Sequence, residues 1–259
     1  MVVRSVLVTV LLVACGKVKG AEPDAPAGAD AAIDDAAVDD ALLDAPPDAP
    51  PAGHTIPAGA KLWLRFDDTP VDGVTDSAGA HAVSCATANC PAVVTGKFGN
   101  AYQFGAMNRI AVAGTADLLP GTKFTIGAWV RIDVENPSVV VGMCKDLGTT
   151  DCCYGFLVEP GRLPCFYSTG GGHTHGLTPV GIATWAHMAT TWDGATKRGY
   201  LNGVQIVNLA VAALASDVAK PLSIGDRAEN SLPFTGAIDD VVFYDRVLSQ
   251  AELTQLAAP

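Results

Sequence analysis

The chain predicts an all-β fold, a sandwich of antiparallel sheets with one short helix at its C-terminal end. Three observations predict it. From about residue 60 onward the apolar segments are short and punctuated by Gly, Pro, Asn and Asp. No long stretch in that region holds a helical period. The dipeptide Asn202-Gly203 separates two strand-like runs and supplies the positive φ that a two-residue hairpin turn needs at both positions. Residues 60–259 are enough for one sandwich-sized domain.

The elements follow in order. Lys61 to Phe66 alternates and opens the domain as a strand. Lys97 to Phe104 and Arg109 to Val112 read as two strands joined through Gly105. Phe124 to Ile132 alternates cleanly, with Phe124, Ile126, Ala128, Val130 and Ile132 on one face and Thr125, Trp129 and Arg131 on the other. Val139 to Met143, Gly155 to Val158 and Pro164 to Tyr167 form a meander with a turn at Pro160-Gly161. The run Gly170 to Gly176 reads as a flexible surface loop. His187 to Trp192, Arg198 to Leu201, Val204 to Val207, Leu222 to Ile224 and Ala237 to Tyr244 complete the strands. Ser249-Gln250-Ala251-Glu252 is a capping box: the serine hydroxyl accepts from the backbone at Glu252, and the glutamate reaches back.

The N-terminal end is different material. Residues 1–14 carry an early positive charge, Arg4, and then the apolar run Val6 to Ala14. That run is well short of the ~20 residues a membrane-spanning helix needs and fits a secretory signal peptide. Residues 15–59 are dominated by Ala, Asp and Pro, with nine acidic side chains and no basic residue between Lys19 and Lys61. Such a segment has too little apolar bulk to offset its ordering entropy, and reads as an extended tether. Residues 61–259 carry 13 basic and 18 acidic side chains, so the folded part is mildly acidic. No basic footprint for nucleic acid is present.

Cys85, Cys90, Cys144, Cys152, Cys153 and Cys165 remain once Cys15 is set aside, an even number that on an exported chain reads as disulfides. The expected pairing is Cys85–Cys90, Cys144–Cys153 and Cys152–Cys165, the second stapling a hairpin whose turn is near Gly148. The competing reading, a zinc site, lacks the paired CxxC spacing of structural zinc.

Two resemblances sharpen these readings. Leu12-Val13-Ala14-Cys15-Gly16 resembles the lipobox of bacterial lipoproteins, which implies cleavage before Cys15, acylation of that cysteine, and anchoring in a bacterial membrane. Glycine rather than aspartate after the cysteine implies the outer membrane. The folded part resembles the laminin-G-like domain of the concanavalin A-like lectin and glucanase superfamily. The motifs that carry this are LWLRFDD, VTDSAGAHA, GKFGNAYQFGAMNRIAV, FTIGAWVRID, WAHMATTWDG…GYLNGVQI and FTGAIDDVVFYDRVLSQAEL. The stretch Val139 to Pro179 matches poorly and holds four of the cysteines. The resemblance implies a concanavalin A-like jelly roll, and it implies a calcium ion near the loop rim. The acidic loop after the first strand and the Asp239-Asp240 strand then nominate Asp76 and Asp239, and less strongly Asp67, as calcium ligands.

Catalytic signatures are missing from the sequence. The glucanase relatives set Glu, Asp and Glu at alternating strand positions, and none of Glu135, Glu159, Glu229 and Glu252 sits in such a row. Asp239 and Asp240 are adjacent, which in a regular strand sends their side chains to opposite faces. No GxSxG turn occurs. The expectation is a surface-tethered, non-catalytic binding module that recognises carbohydrate through rim loops; adhesion to a surface protein is the alternative, and a glycoside hydrolase with a rearranged site the third reading. Tyr154, Phe166, Tyr167, His173 and His175, all in the variable middle, are the candidate ligand-binding residues. His173 and His175 are two apart, share a face of an extended segment, and can bind a metal if a third ligand arrives from elsewhere.

Overall fold

The computed structural model describes residues 55–70, 73–79, 81–144, 152–215, 220–227 and 232–259. The lipobox with Cys15, most of the Ala/Asp/Pro segment and the turn near Gly148 lie outside the described residues. Among the described residues, fifteen strands and one α-helix make up the fold. In chain order they are β1 (Leu62–Leu64), β2 (Val83–Ser84), β3 (Ala92–Thr95), β4 (Asn100–Phe104), β5 (Ile110–Val112), β6 (Phe124–Ile132), β7 (Ser138–Cys144), β8 (Cys152–Glu159), β9 (Leu163–Ser168), β10 (Gly172–His175), β11 (Trp185–Trp192), β12 (Thr196–Leu201), β13 (Val204–Ala210), β14 (Leu222–Ile224), β15 (Gly236–Tyr244) and α1 (Gln250–Leu256). An eight-stranded sheet runs β13-β12-β11-β6-β15-β4-β3, with β1 also paired to β15. A seven-stranded sheet runs β10-β9-β8-β7-β14-β5-β2. All the strand pairings are antiparallel.

The core lies between the sheets. The inward face of β6 delivers Phe124, Ile126, Ala128, Val130 and Ile132, the set its alternation predicts. Phe124 stacks on Phe243 of β15 and packs against Tyr154 of β8, so one aromatic cluster ties the two sheets together. The Asn202-Gly203 hairpin forms with positive φ at both residues, 50° and 76°. The capping box at Ser249 is complete in both directions.

Several expectations are corrected. The first strand stops at Leu64, because Phe66 turns the chain with φ of 56°. The run Gly170 to Gly176 is not a loop throughout. Gly172–His175 forms edge strand β10, hydrogen-bonded to β9. Strands β2 and β3 were absent from the sequence reading because both are short and neither alternates strongly. In β15 the register shifts between Asp239 and Val242, and Asp240 adopts φ of 46°. This bulge leaves Asp239 opposite the outward Trp129 while Val241 and Phe243 still face the core, so Asp239 is not in phase with them.

The outer face of the eight-stranded sheet is closed. Leu253 and Leu256 of α1, with Leu248, cover Ala189, Tyr200, Val242 and Tyr244, and Ile56, Ala60 and Trp63 from the opening segment pack alongside. The indole of Trp129 donates to the Leu256 carbonyl at 3.1 Å, which fastens the end of the helix to the sheet. Among the described residues no helix is long and apolar enough to cross a membrane.

Candidate functional site

A shallow concavity lies at the sandwich rim, beside β1 and the ends of β2 and β5. It measures about 620 Å³ and is walled by the small residues Ala60, Ala78, Gly79, Ala82 and Ala113. Lys61, His81, Thr115 and Asp117 present polar groups into it. That size falls within the ~300–1,000 Å³ of small-molecule sites.

His81 is the centre of this cleft, and the chain holds it from behind. Asp76 sits in the turn after β1. Its Oδ1 accepts from the backbone N–H groups of Trp63 and Ala78, and its Oδ2 accepts from the N–H of His81. The same Oδ2 lies 2.7 Å from His81 Nδ1. His81 Nε2 then lies 3.1 Å from Asp117 Oδ2, and the Thr115 hydroxyl donates to Asp117 Oδ1 at 2.6 Å. Gly79 is needed here, because a Cβ would stand 2.8 Å from Asp76 Oδ2. The result is a relay from a buried carboxylate, through an imidazole, to a carboxylate that is 47% exposed.

The electrostatics follow from the geometry. Burial alone would lower the His81 imidazolium, but hydrogen bonds to Asp76 and Asp117 outweigh it and the net shift is upward. Burial works to raise the Asp117 carboxyl, and the bonds from Thr115 and His81 overcome it, so its pKa is lowered. The Asp117 carboxylate is the most accessible polar group of the cleft, since both His81 ring nitrogens are engaged and the Lys61 ammonium pairs with Asp245 at 3.3 Å. Sequence reasoning did not select His81, Asp117, Lys61 or Thr115. The signal was present in VTDSAGAHA, where Asp76 and His81 are five apart around a Gly turn.

A smaller cleft of about 210 Å³ lies by β2 and β5, lined by Ser84, Cys85, Ala86, Asn89, Met107, Arg109 and Ala111. The Cys85–Cys90 disulfide, formed as expected, shapes one wall. The two other expected bridges are not made: Cys153 and Cys165 are both buried thiols. Cys153 belongs to the core between the sheets, whereas Cys165 belongs to a separate cluster with Val139, Leu157 and Tyr167. The backbone register sets Cys144 opposite Cys152 instead.

The candidate ligand residues divide by face. Tyr154 and Phe166 point inward and are completely buried. The Tyr154 hydroxyl donates to the Leu118 carbonyl at 2.6 Å, so neither ring is a platform for a ligand. Alternation put both in a variable segment but did not say which face was the core. Tyr167, His173 and His175 lie together on the outer face of the seven-stranded sheet, with the Tyr167 and His173 rings edge to face at 4.8 Å.

Residues 104–254 match the Laminin_G_3 family, described as Concanavalin A-like lectin/glucanases superfamily. The chain belongs to that superfamily. No curated protein matches it by sequence. Among solved structures it is similar to domain 4 of AbnA, a GH43 extracellular arabinanase from Geobacillus stearothermophilus, in complex with arabinotriose. That likeness has TM-score 0.60 and 19% identity, over 77% of this chain and 100% of that one. The binding domain of Paraclostridial Mosquitocidal Protein 1 matches with TM-score 0.59 and 16% identity, over 77% of this chain and 52% of that one. A Trypanosoma rangeli sialidase in complex with the inhibitor DANA matches with TM-score 0.59 and 14% identity, over 79% of this chain but only 34% of the sialidase. These likenesses establish the sandwich that the superfamily shares.

The calcium expected of a superfamily member is tested by the aspartates themselves. Asp76 does not fit: both of its oxygens are taken up by N–H donors and by His81, which leaves no lone pair facing a cation. Asp67 is held by the Arg65 guanidinium at 2.5 Å and by the Asn100 N–H at 2.8 Å. Asp239 fits better. Its Oδ2 accepts from the N–H groups of Lys97 and Phe98, but its buried Oδ1 has no hydrogen-bond partner. Burial and then the neighbouring Asp240 hold the Asp239 carboxyl well above the usual carboxylate range. The bulge brings Asp240 to the same side, where its Oδ1 accepts from the Trp63 indole at 2.6 Å. The expected separation of the Asp239 and Asp240 side chains onto opposite faces is therefore overturned.

Proposed function

We propose that the protein is a non-catalytic binding module, tethered to a bacterial surface through lipid on Cys15, that recognises carbohydrate in the rim cleft at His81 and Asp117. The observation that carries this reading is the cleft itself. Its walls are small residues, and the half-exposed Asp117 carboxylate stands 3.1 Å from the His81 imidazole, with Lys61 also on the lining. Planar charged acceptors and donors on a shallow floor suit vicinal hydroxyl groups. Occurrence of this sandwich in an arabinanase domain holding arabinotriose is consistent with the reading.

The absence of catalysis has its own support. The Asp239 and Asp240 carboxyls are buried where no substrate reaches them. Calcium, in this reading, sits at Asp239 and Asp240 and stabilises the sheet rather than touching the sugar.

The test is binding of the full-length protein to a broad polysaccharide and glycan array, run with calcium and again with chelator. Saturable binding to one sugar class in both conditions is the expected result. Loss of binding in chelator would make recognition calcium-dependent without locating the ion. Silence across the array, from protein shown to be folded by circular dichroism, would overturn the carbohydrate reading in favour of protein adhesion.

A further inference from the structure

On the outer face of the seven-stranded sheet, three adjacent strands bring three different metal-binding side chains together. Glu159 ends β8, Cys165 lies in the middle of β9, and His173 lies in edge strand β10. Their ligand atoms all lie within 4.8 Å of one another. Tetrahedral coordination at ordinary zinc–ligand bond lengths separates ligand atoms by ~3.4–3.6 Å, so only small side-chain rotations close the site. We propose that Glu159, Cys165 and His173 form a binding site for a divalent transition metal of the zinc class.

The chemistry of the set selects that class. A thiolate and an imidazole favour zinc or its borderline-soft neighbours, and they disfavour calcium and magnesium, which take oxygen ligands. One thiolate and one carboxylate balance a dication. Cys165 is fully buried at the bottom, while His173 and Glu159 are 35% and 20% exposed above it. An ion therefore enters from solvent, and a fourth position is left for water or a further side chain.

The surroundings hold the ligands ready. His173 Nδ1 lies 2.7 Å from Glu159 Oε1, and the Tyr167 ring braces the imidazole edge to face. Register places His175 beside Cys165 on the same face, within reach as a further imidazole. Binding exchanges one proton: the Cys165 S–H bond breaks, a sulfur–metal bond forms, and the proton leaves to solvent. Affinity therefore falls as pH falls, because proton and metal compete for the sulfur.

The site is separate from the rim cleft, and the inference does not rest on the carbohydrate reading. Its test is titration of the metal-free full-length protein with Co²⁺, followed by displacement with Zn²⁺. One ion per chain is expected, with a near-ultraviolet thiolate-to-cobalt charge-transfer band that zinc abolishes. Cys165→Ser should remove the band. His173→Ala changes a partly exposed residue, so it should fold normally and weaken affinity by about tenfold or more. No charge-transfer band in folded wild-type protein would overturn the proposal. So would a band that survives Cys165→Ser, or unchanged affinity in His173→Ala.

Discussion

Two polar regions of the sandwich end their side-chain hydrogen bonds differently. Beneath α1, on the outer face of the eight-stranded sheet, polar side chains terminate on the backbone. Trp129 donates to the Leu256 carbonyl, Thr125 bridges Arg246 and Leu248, and the Tyr244 hydroxyl donates to the Pro57 carbonyl. At the rim, His81, Asp117 and Thr115 terminate on one another. A side chain fixed to buried backbone holds the fold and has nothing left to offer a ligand. A side chain fixed to another side chain can exchange that partner for a ligand group at small cost. The first region is structural and the second is where recognition is to be sought.

The contrast breaks most sharply at the helix. Leu253 is 1% exposed and seals the covered face. Leu253→Ala should destabilise the protein by about 2–5 kcal/mol, read as a lower urea midpoint with little change in slope. Sugar binding by the remaining folded fraction should be unchanged. If affinity fell with stability, the two regions would be one cooperative unit and the division would be wrong.

The converse substitution is Asp117→Ala. Its carboxylate is 47% exposed, so stability should change by less than about 1 kcal/mol. Loss of a charged hydrogen-bond acceptor should weaken ligand binding by about 10–100-fold. Isothermal titration with whichever sugar the array identifies reads this directly. Full retention of affinity would remove the rim cleft from the binding site.

How much of this was legible in the sequence depended on how local each cause is. The β6 alternation, the Asn202-Gly203 hairpin and the Ser249 capping box were readable because each is decided within a few residues. The bulge at Asp239–Asp240 was not, since a register shift is visible only against the partner strand. The same limit applied to function. Tyr167 and His173 were selected together with Tyr154 and Phe166, although β9 alternation sends Tyr167 and Phe166 to opposite faces. Glu159 and Cys165 join His173 only through the β8–β9–β10 pairing. Asp76 was noticed for its charge, whereas its position five residues before His81 carried the information.

The finest test of the comparison is pH, because the two regions respond with opposite sign. In the helix cap, hydrogen bonds from Arg246 and Ser249 lower the Glu252 carboxyl to about 2. Its folded-state pKa lies below the unfolded value near ~4.5. Its stabilisation is therefore complete above that value and is lost as pH falls toward 2. At the rim, His81 is raised above its ordinary value of 6.5. Its contribution is complete below 6.5 and is lost as pH rises through the folded-state value. Melting temperatures of wild type, Glu252→Gln and His81→Gln between pH 3 and 9 separate the two. The difference between wild type and Glu252→Gln should shrink in acid, and the difference between wild type and His81→Gln should shrink toward alkaline pH. Parallel curves for His81→Gln and wild type across neutrality would mean that the imidazole gains nothing from Asp76 and Asp117, and that the relay in the cleft is a contact without an energetic consequence.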